Sequence, residues 1–198
     1  MLGEAVFTVV ATVSSIVYAW PQAIQLLRSG ALAGVSLAGL SIGSVSATAW
    51  AWYGFASHIP GLAWPSVAYL IPQFIGAVQA FRLGAPRRGL LLALAWAILL
   101  TLFALLSPAL LAAALGGSIV ALAVPTLLSI WRHPGDPVGV STLTWWFGLF
   151  DGVLYLGYGP WRHDGPTITY GVAATLVCSS VLLLVRSKRQ GARLSPAL

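Results

Sequence analysis

The chain has 198 residues, of which 59% are hydrophobic and only 7% charged, with nine Trp and a mean hydropathy of +0.90. A soluble domain carries about 25% charged residues, so this composition excludes an ordinary soluble protein and predicts an all-α integral membrane protein. The formal charge of +6 would point to nucleic acid in a soluble chain; here the basic residues fall between apolar segments, so no nucleic-acid partner is expected and the lipid bilayer is the first partner.

Hydropathy divides the chain into seven segments, at residues 5–27, 37–56, 62–81, 89–106, 109–130, 141–160 and 166–185. Each approaches the roughly 20 residues that a membrane-spanning helix needs. Glu4 and the absence of a basic leader argue that the first segment is kept as a helix rather than cleaved. The break between the fourth and fifth segments is marked only by Ser107-Pro108. A basic tail from Arg186 to Leu198 is expected to be disordered. Cys178 is the only cysteine, so no intramolecular disulfide can form.

Basic residues set the expected orientation. Arg28, then Arg82, Arg87 and Arg88, then Arg132, then Arg186, Lys188, Arg189 and Arg193 fall on one side of the seven segments, and only Arg162 on the other. That bias predicts a multi-pass protein of the cell membrane with its N-terminus outside and its C-terminus in the cytoplasm.

An internal repeat organises the chain. Pro21 and Arg28 in A-W-P-Q-A-I-Q-L-L-R return as Pro125 and Arg132 in A-V-P-T-L-L-S-I-W-R. Gly34-Val35-Ser36 returns as Gly139-Val140-Ser141. Gly43, Ser46, Trp50 and Tyr53-Gly54 then meet Gly148, Asp151, Tyr155 and Tyr158-Gly159, and Pro65 to Tyr69 meets Pro166 to Tyr170. Three helices are duplicated. Because three is odd, copies joined directly would face opposite ways, and the extra segment at 89–106 restores the second copy to the orientation of the first. The expected fold is therefore two parallel three-helix bundles joined by an inversion linker helix, with a pathway between the halves. Its domains are 1–84, the linker 85–107, 108–186 and the tail 187–198. The linker's nearly pure Leu/Ala composition predicts a lipid-facing helix without chemistry.

Asp151 is the costliest residue in this plan, since a carboxylate at mid-depth costs about 2.5–3.5 kcal/mol on insertion scales. No intramembrane Lys or Arg is present to pair with it, so a proton, water or hydroxyl groups must satisfy it. Ser46 is its counterpart in the first repeat. Helical spacing puts Thr144, Gly148, Tyr155 and Tyr158 on the face of Asp151, and Gly43, Trp50 and Tyr53 on that of Ser46. Trp50, Trp52, Tyr53 and Tyr158 also lie where an aromatic belt would stand. Gln73 in the third helix, and Thr175 and Ser179 in the seventh, are further candidates for solute contact. Pro21 and Pro125 each remove a helical hydrogen bond, and their matched positions predict hinges near a gate, with Gln22 and Thr126 beside them.

On Pro21-Gln22, Arg28-Ser29 and Gly34-Val35-Ser36, repeated with Thr126 in place of the glutamine, the chain resembles the PQ-loop family over about residues 5–185. This family includes the SWEET sugar transporters and the lysosomal cystine transporters. The resemblance implies alternating access for a small neutral polar solute, a sugar or an amino-acid-like molecule, with the prolines as hinges. It also implies proton coupling at Asp151, whose Phe150-Asp151-Gly152 setting is similar to that of the cystine branch. SWEET proteins hold sugar through paired asparagines, and this chain contains no asparagine; Gln73 on one side and Thr175 or Ser179 on the other would have to serve.

A membrane receptor or structural protein of the same fold is the alternative class. An enzyme is not expected: there is no H-E-x-x-H or G-x-S-x-G, and His58, His133 and His163 lie in connections. Neither a cofactor nor a metal is implied. The oligomeric state is left open by the sequence, a homo-oligomer included, although two repeats suffice for a pathway within one chain.

Overall fold

The computed structural model describes residues 2–194. It is all-helical: α1 (Leu2–Ser29), α2 (Leu37–Ala56), α3 (Pro60–Arg82), α4 (Arg88–Leu106), α5 (Pro108–Gly116), α6 (Ser118–Arg132), α7 (Thr142–Arg162) and α8 (Gly165–Leu194). The expected segments fall on these helices, with two differences. The fifth is split at Gly116-Gly117, because Gly is a poor helix former and α5 comes so close to α8 that a Cβ on Gly116 would stand 3.0 Å from Thr169. The eighth helix continues nine residues past the expected end at 185, so residues 186–194 are helical where a disordered tail was expected; the rest of that tail lies outside the described residues. Lys188 explains the continuation: its ammonium donates to the carbonyls of Trp131 and His133, both at 2.8 Å, and caps the C-terminus of α6. Arg189 beside it pairs with Asp136 at 3.2 Å.

Among the described residues five spans, α1, α3, α4, the continuous stretch of α5 with α6, and α8, are long and apolar enough to cross a membrane. The remaining long helices, α2 and α7, have 20 and 21 residues, and they carry the Ser, Gly, Trp and Tyr residues that face inward. On α4, nine Leu and Ile side chains are exposed, Leu105 at 79%. Moving such a side chain from water into an apolar medium is worth about 1.5–3 kcal/mol when it is fully covered, a gain that water would leave unrealised. Lipid is the solvent this surface fits.

The repeat is visible in local structure. Ser36 and Ser141, the serines of the two G-V-S sequences, are the N-caps of α2 and α7, accepting from Gly39 N at 3.1 Å and Thr144 N at 3.3 Å, a contribution of about 1 kcal/mol each. The chain enters the first of these caps through Gly34 at φ +79°, a conformation that glycine adopts without penalty. At the far ends of α2 and α7, His58 and His163 both take the left-handed conformation, with φ of 54° and 53°. Packing repeats too. The third helix of the first repeat, α3, packs against both α1 and α2, and α8 packs against both α7 and α5–α6. Between the repeats, α1 meets α7 and α2 meets α6, so the core lies where all these helices converge.

Candidate functional site

Asp151 on α7 is only 2% exposed and opens onto an internal chamber of about 60 Å³. One buried water needs about 10–15 Å³ on this measure, so the chamber has room for a few. Its walls come from both repeats: Tyr18, Ser46, Trp50 and Tyr69 from the first, and Ser118, Asp151, Tyr155 and Tyr170 from the second. A second chamber of about 40 Å³ lies toward the end of the bundle that holds Arg28 and Arg132, and Gln22, Gln73, Thr126 and Thr144 line it. Tyr18, Tyr69 and Leu122 border both chambers and form the waist between them. At the waist the Tyr18 and Tyr69 rings stand 5.0 Å apart, and Gln73 donates to the Tyr69 hydroxyl.

The Asp151 carboxylate has two donors, both distant: Tyr170 at 3.3 Å and Ser14 at 3.5 Å. A hydroxyl bound to an ionised carboxylate normally stands about 2.5–2.7 Å away, so neither contact saturates the acid. Ser46 is engaged otherwise. Trp96 of α4 donates to its hydroxyl at 2.9 Å. The linker helix, read from its composition as free of chemistry, therefore reaches the chamber wall through that one indole. Trp50 donates to Ser118 at 3.0 Å, and Tyr155 to the carbonyl of Gly61 at 3.1 Å. Trp50 and Tyr158 are buried rather than in a lipid-facing belt, while Trp52 is exposed.

Two layers of contacts between the repeats bracket the chambers. Toward Glu4, the Tyr158 hydroxyl donates to the Glu4 carboxylate, Arg162 stands 3.6 Å from it, and Tyr53 donates to Asp164 at 2.9 Å. Phe7 stacks on Tyr158 with centroids 3.7 Å apart. Toward Arg28, Gln22 donates to Gly139 O at 2.9 Å and accepts from Ser141 N at 3.0 Å. Gln25 donates to Val138 O at 2.8 Å, and Ser129, its repeat equivalent, donates to Val35 O at 3.0 Å. Each repeat's post-proline helix thus holds the G-V-S loop of the other. Thr126 stands where Gln22 would recur, and its shorter side chain returns to Leu122 O of its own helix.

The candidates named from the sequence are divided by the fold. Asp151, Ser46, Trp50 and Tyr155 meet in the first chamber, and Gln73, Gln22 and Thr126 in the second. Pro21 and Pro125 lie inside α1 and α6 and line neither. Thr175 and Ser179 do not line either chamber; their hydroxyls bond back to Gly171 O and Thr175 O, both at 2.8 Å. The cause is the rotation of α8, which turns Thr167, Tyr170 and Cys178 inward and sets Thr175 against Gly152. Tyr18, Tyr69, Tyr170 and Ser118 were not singled out beforehand. The repeat held the signal for two of them, since Tyr69 and Tyr170 close its matched P-x-x-x-Y stretches.

Gln22→Ala tests the layer toward Arg28. It removes two hydrogen bonds and strands a buried N–H and a carbonyl, at about 1–3 kcal/mol for an unsatisfied group. A Thr126→Cys reporter in a Cys178→Ala background should then react at least tenfold faster with a thiol reagent applied from that side. An unchanged rate would show that Gln22 does not hold the layer shut.

No family model matches the chain, no curated protein matches it, and no solved structure matches it. Fold and chamber together define a helical, largely apolar protein, suited to a bilayer, that keeps a carboxylate and several hydroxyl and indole groups in its interior.

Proposed function

We propose that the chain is a membrane transporter that moves a small polar solute by alternating access. It is built as two parallel three-helix halves, 1–84 and 108–186, joined by the inversion helix of 85–107, as in the PQ-loop family it resembles. The observation that carries this reading is the chamber around Asp151, which is walled by both repeats and bounded toward each end by hydrogen bonds between them. Releasing one layer while the other holds would open the chamber to one side at a time, with the halves rocking around a central site. Pro21 and Pro125 leave the carbonyls of Val17 and Ala121 without their helical donors, which favours bending next to the layer toward Arg28. The clustering of Arg28, Arg82, Arg87, Arg88 and Arg132 at the ends of their segments supports a cytoplasmic location for that side. Asp151 would carry the coupled proton, because among the described residues no Lys, Arg or His lines its chamber to balance a charge.

Uptake into proteoliposomes tests the reading. Labelled sugars, amino acids and small amines are offered with and without a proton gradient, and at least one should accumulate, faster with the gradient. Uptake of none would replace transport with a receptor or structural role.

A further inference from the structure

The first chamber is specific about charge. Its one carboxyl group is that of Asp151, buried and held by two long hydrogen bonds. Among the described residues no Lys, Arg or His lines it. Five aromatic rings, Tyr18, Trp50, Tyr69, Tyr155 and Tyr170, make up much of the remaining wall. Trp50 and Tyr170 meet edge to face at 72° with centroids 5.7 Å apart, and Tyr155 and Tyr170 at 86° and 5.5 Å, so these rings form one contiguous aromatic wall. Ring faces are electron-rich and attract a cation once water is removed, and the carboxylate supplies the counter-charge that a cation in a low-dielectric site requires.

We propose that this chamber binds a small organic ammonium ion without a carboxylate, with its positive group on Asp151 and its alkyl groups against Trp50, Tyr155 and Tyr170. An amino acid fits poorly, because its carboxylate would meet no cation and would be repelled by Asp151. A sugar fits poorly as well. A hexose has about twelve heavy atoms, whereas a chamber of about 60 Å³ holds about four to six water-sized groups, which sets the size in this conformation. The inference rests on the transporter reading for its purpose, but binding is measurable without transport.

The test is equilibrium binding of labelled tetramethylammonium to the purified full chain in detergent at neutral pH. Tert-butanol serves as the neutral competitor of the same size, and glycine betaine as the ammonium that carries a carboxylate. Binding should be saturable, displaced by unlabelled tetramethylammonium, and at least tenfold less sensitive to either competitor. Asp151→Asn should weaken it at least tenfold, and Trp50→Leu or Tyr155→Leu about three- to tenfold, the size of a desolvated cation–ring contact. Absence of saturable binding, equal competition by tert-butanol or betaine, or undiminished binding by a folded Asp151→Asn protein would overturn the inference. The competitor comparison uses the wild-type chain and stands even where a variant does not fold. Binding as expected with no uptake into proteoliposomes would reject transport alone.

Discussion

Asp151→Asn is expected to abolish gradient-driven accumulation, lowering it at least tenfold, while the protein still folds. The amide matches the carboxylate in volume, so the packing against Ser14 and Tyr170 is kept, and volume-conserving changes in a core are the best tolerated. What the amide cannot do is take up and release a proton. The carboxylate lies 2% exposed in a chamber with no basic side chain in its wall, and desolvating an unpaired charge there is costly. Thermal unfolding of the variant should therefore stay within a few degrees of wild type or rise. Counterflow without a gradient, measured in the same vesicles, separates the two roles of the acid: a neutral solute should still exchange, whereas an ammonium held on Asp151 should exchange at least tenfold more weakly. Gradient-dependent uptake that survives the substitution would remove Asp151 from the coupling step. A protein that unfolds many degrees earlier would make the acid a structural element instead.

Gly54→Ala and Gly159→Ala should each lower the melting temperature by about 4–8 °C, the equivalent of about 2 kcal/mol in a chain of this size. The two glycines are repeat equivalents on α2 and α7. A Cβ on Gly54 would stand 2.5 Å from the backbone N of Ala63 on α3, and one on Gly159 would stand 2.8 Å from the backbone N of Ile168 on α8. Val67 is the repeat equivalent of Ile168, and Ala63 lies one helical turn before it, so both glycines meet the first turns of the third helix of their repeat. In both halves the second helix leans on the main chain of the third, and a main chain cannot rotate aside as a flexible side chain can. Overpacking of this kind costs about 1–3 kcal/mol. Gly157→Ala is the control: it lies on the same helix, with nothing within 4 Å of the added methyl group, and should leave the melting temperature unchanged or raise it slightly through helix propensity. Equal melting temperatures for all three variants would show that these close approaches do not govern stability.

The twin glycines illustrate what could be read without coordinates. The match of Tyr53-Gly54 with Tyr158-Gly159 is in the sequence, whereas the partner each glycine leans on is not. The same division runs through the site. Burial of Asp151 followed from the cost of a charge among some twenty apolar neighbours, and its place beside Ser46, Trp50 and Tyr155 followed from helical spacing and the repeat. Gln22 and Gln73 fall in a different chamber from Asp151, because Tyr18, Tyr69 and Leu122 close the space between. Thr175 and Ser179 looked as suitable as Tyr170 by composition, yet a turn of α8 directs the tyrosine inward and returns both hydroxyls to their own helix.

By itself the sequence determined the number and extent of most helices, the apolar surface, the duplication and the costly acid. Hydropathy, charge and repeat matching are properties of residues taken along one segment or compared at a fixed offset. Only the tertiary structure decided the rotation of each helix about its axis, the separation of the two chambers, the layers that bracket them and the reach of Trp96 to Ser46. Those depend on contacts between segments far apart in the chain. A rotation by one residue, about 100° in an α-helix, exchanges wall for lipid while leaving the composition of the helix unchanged.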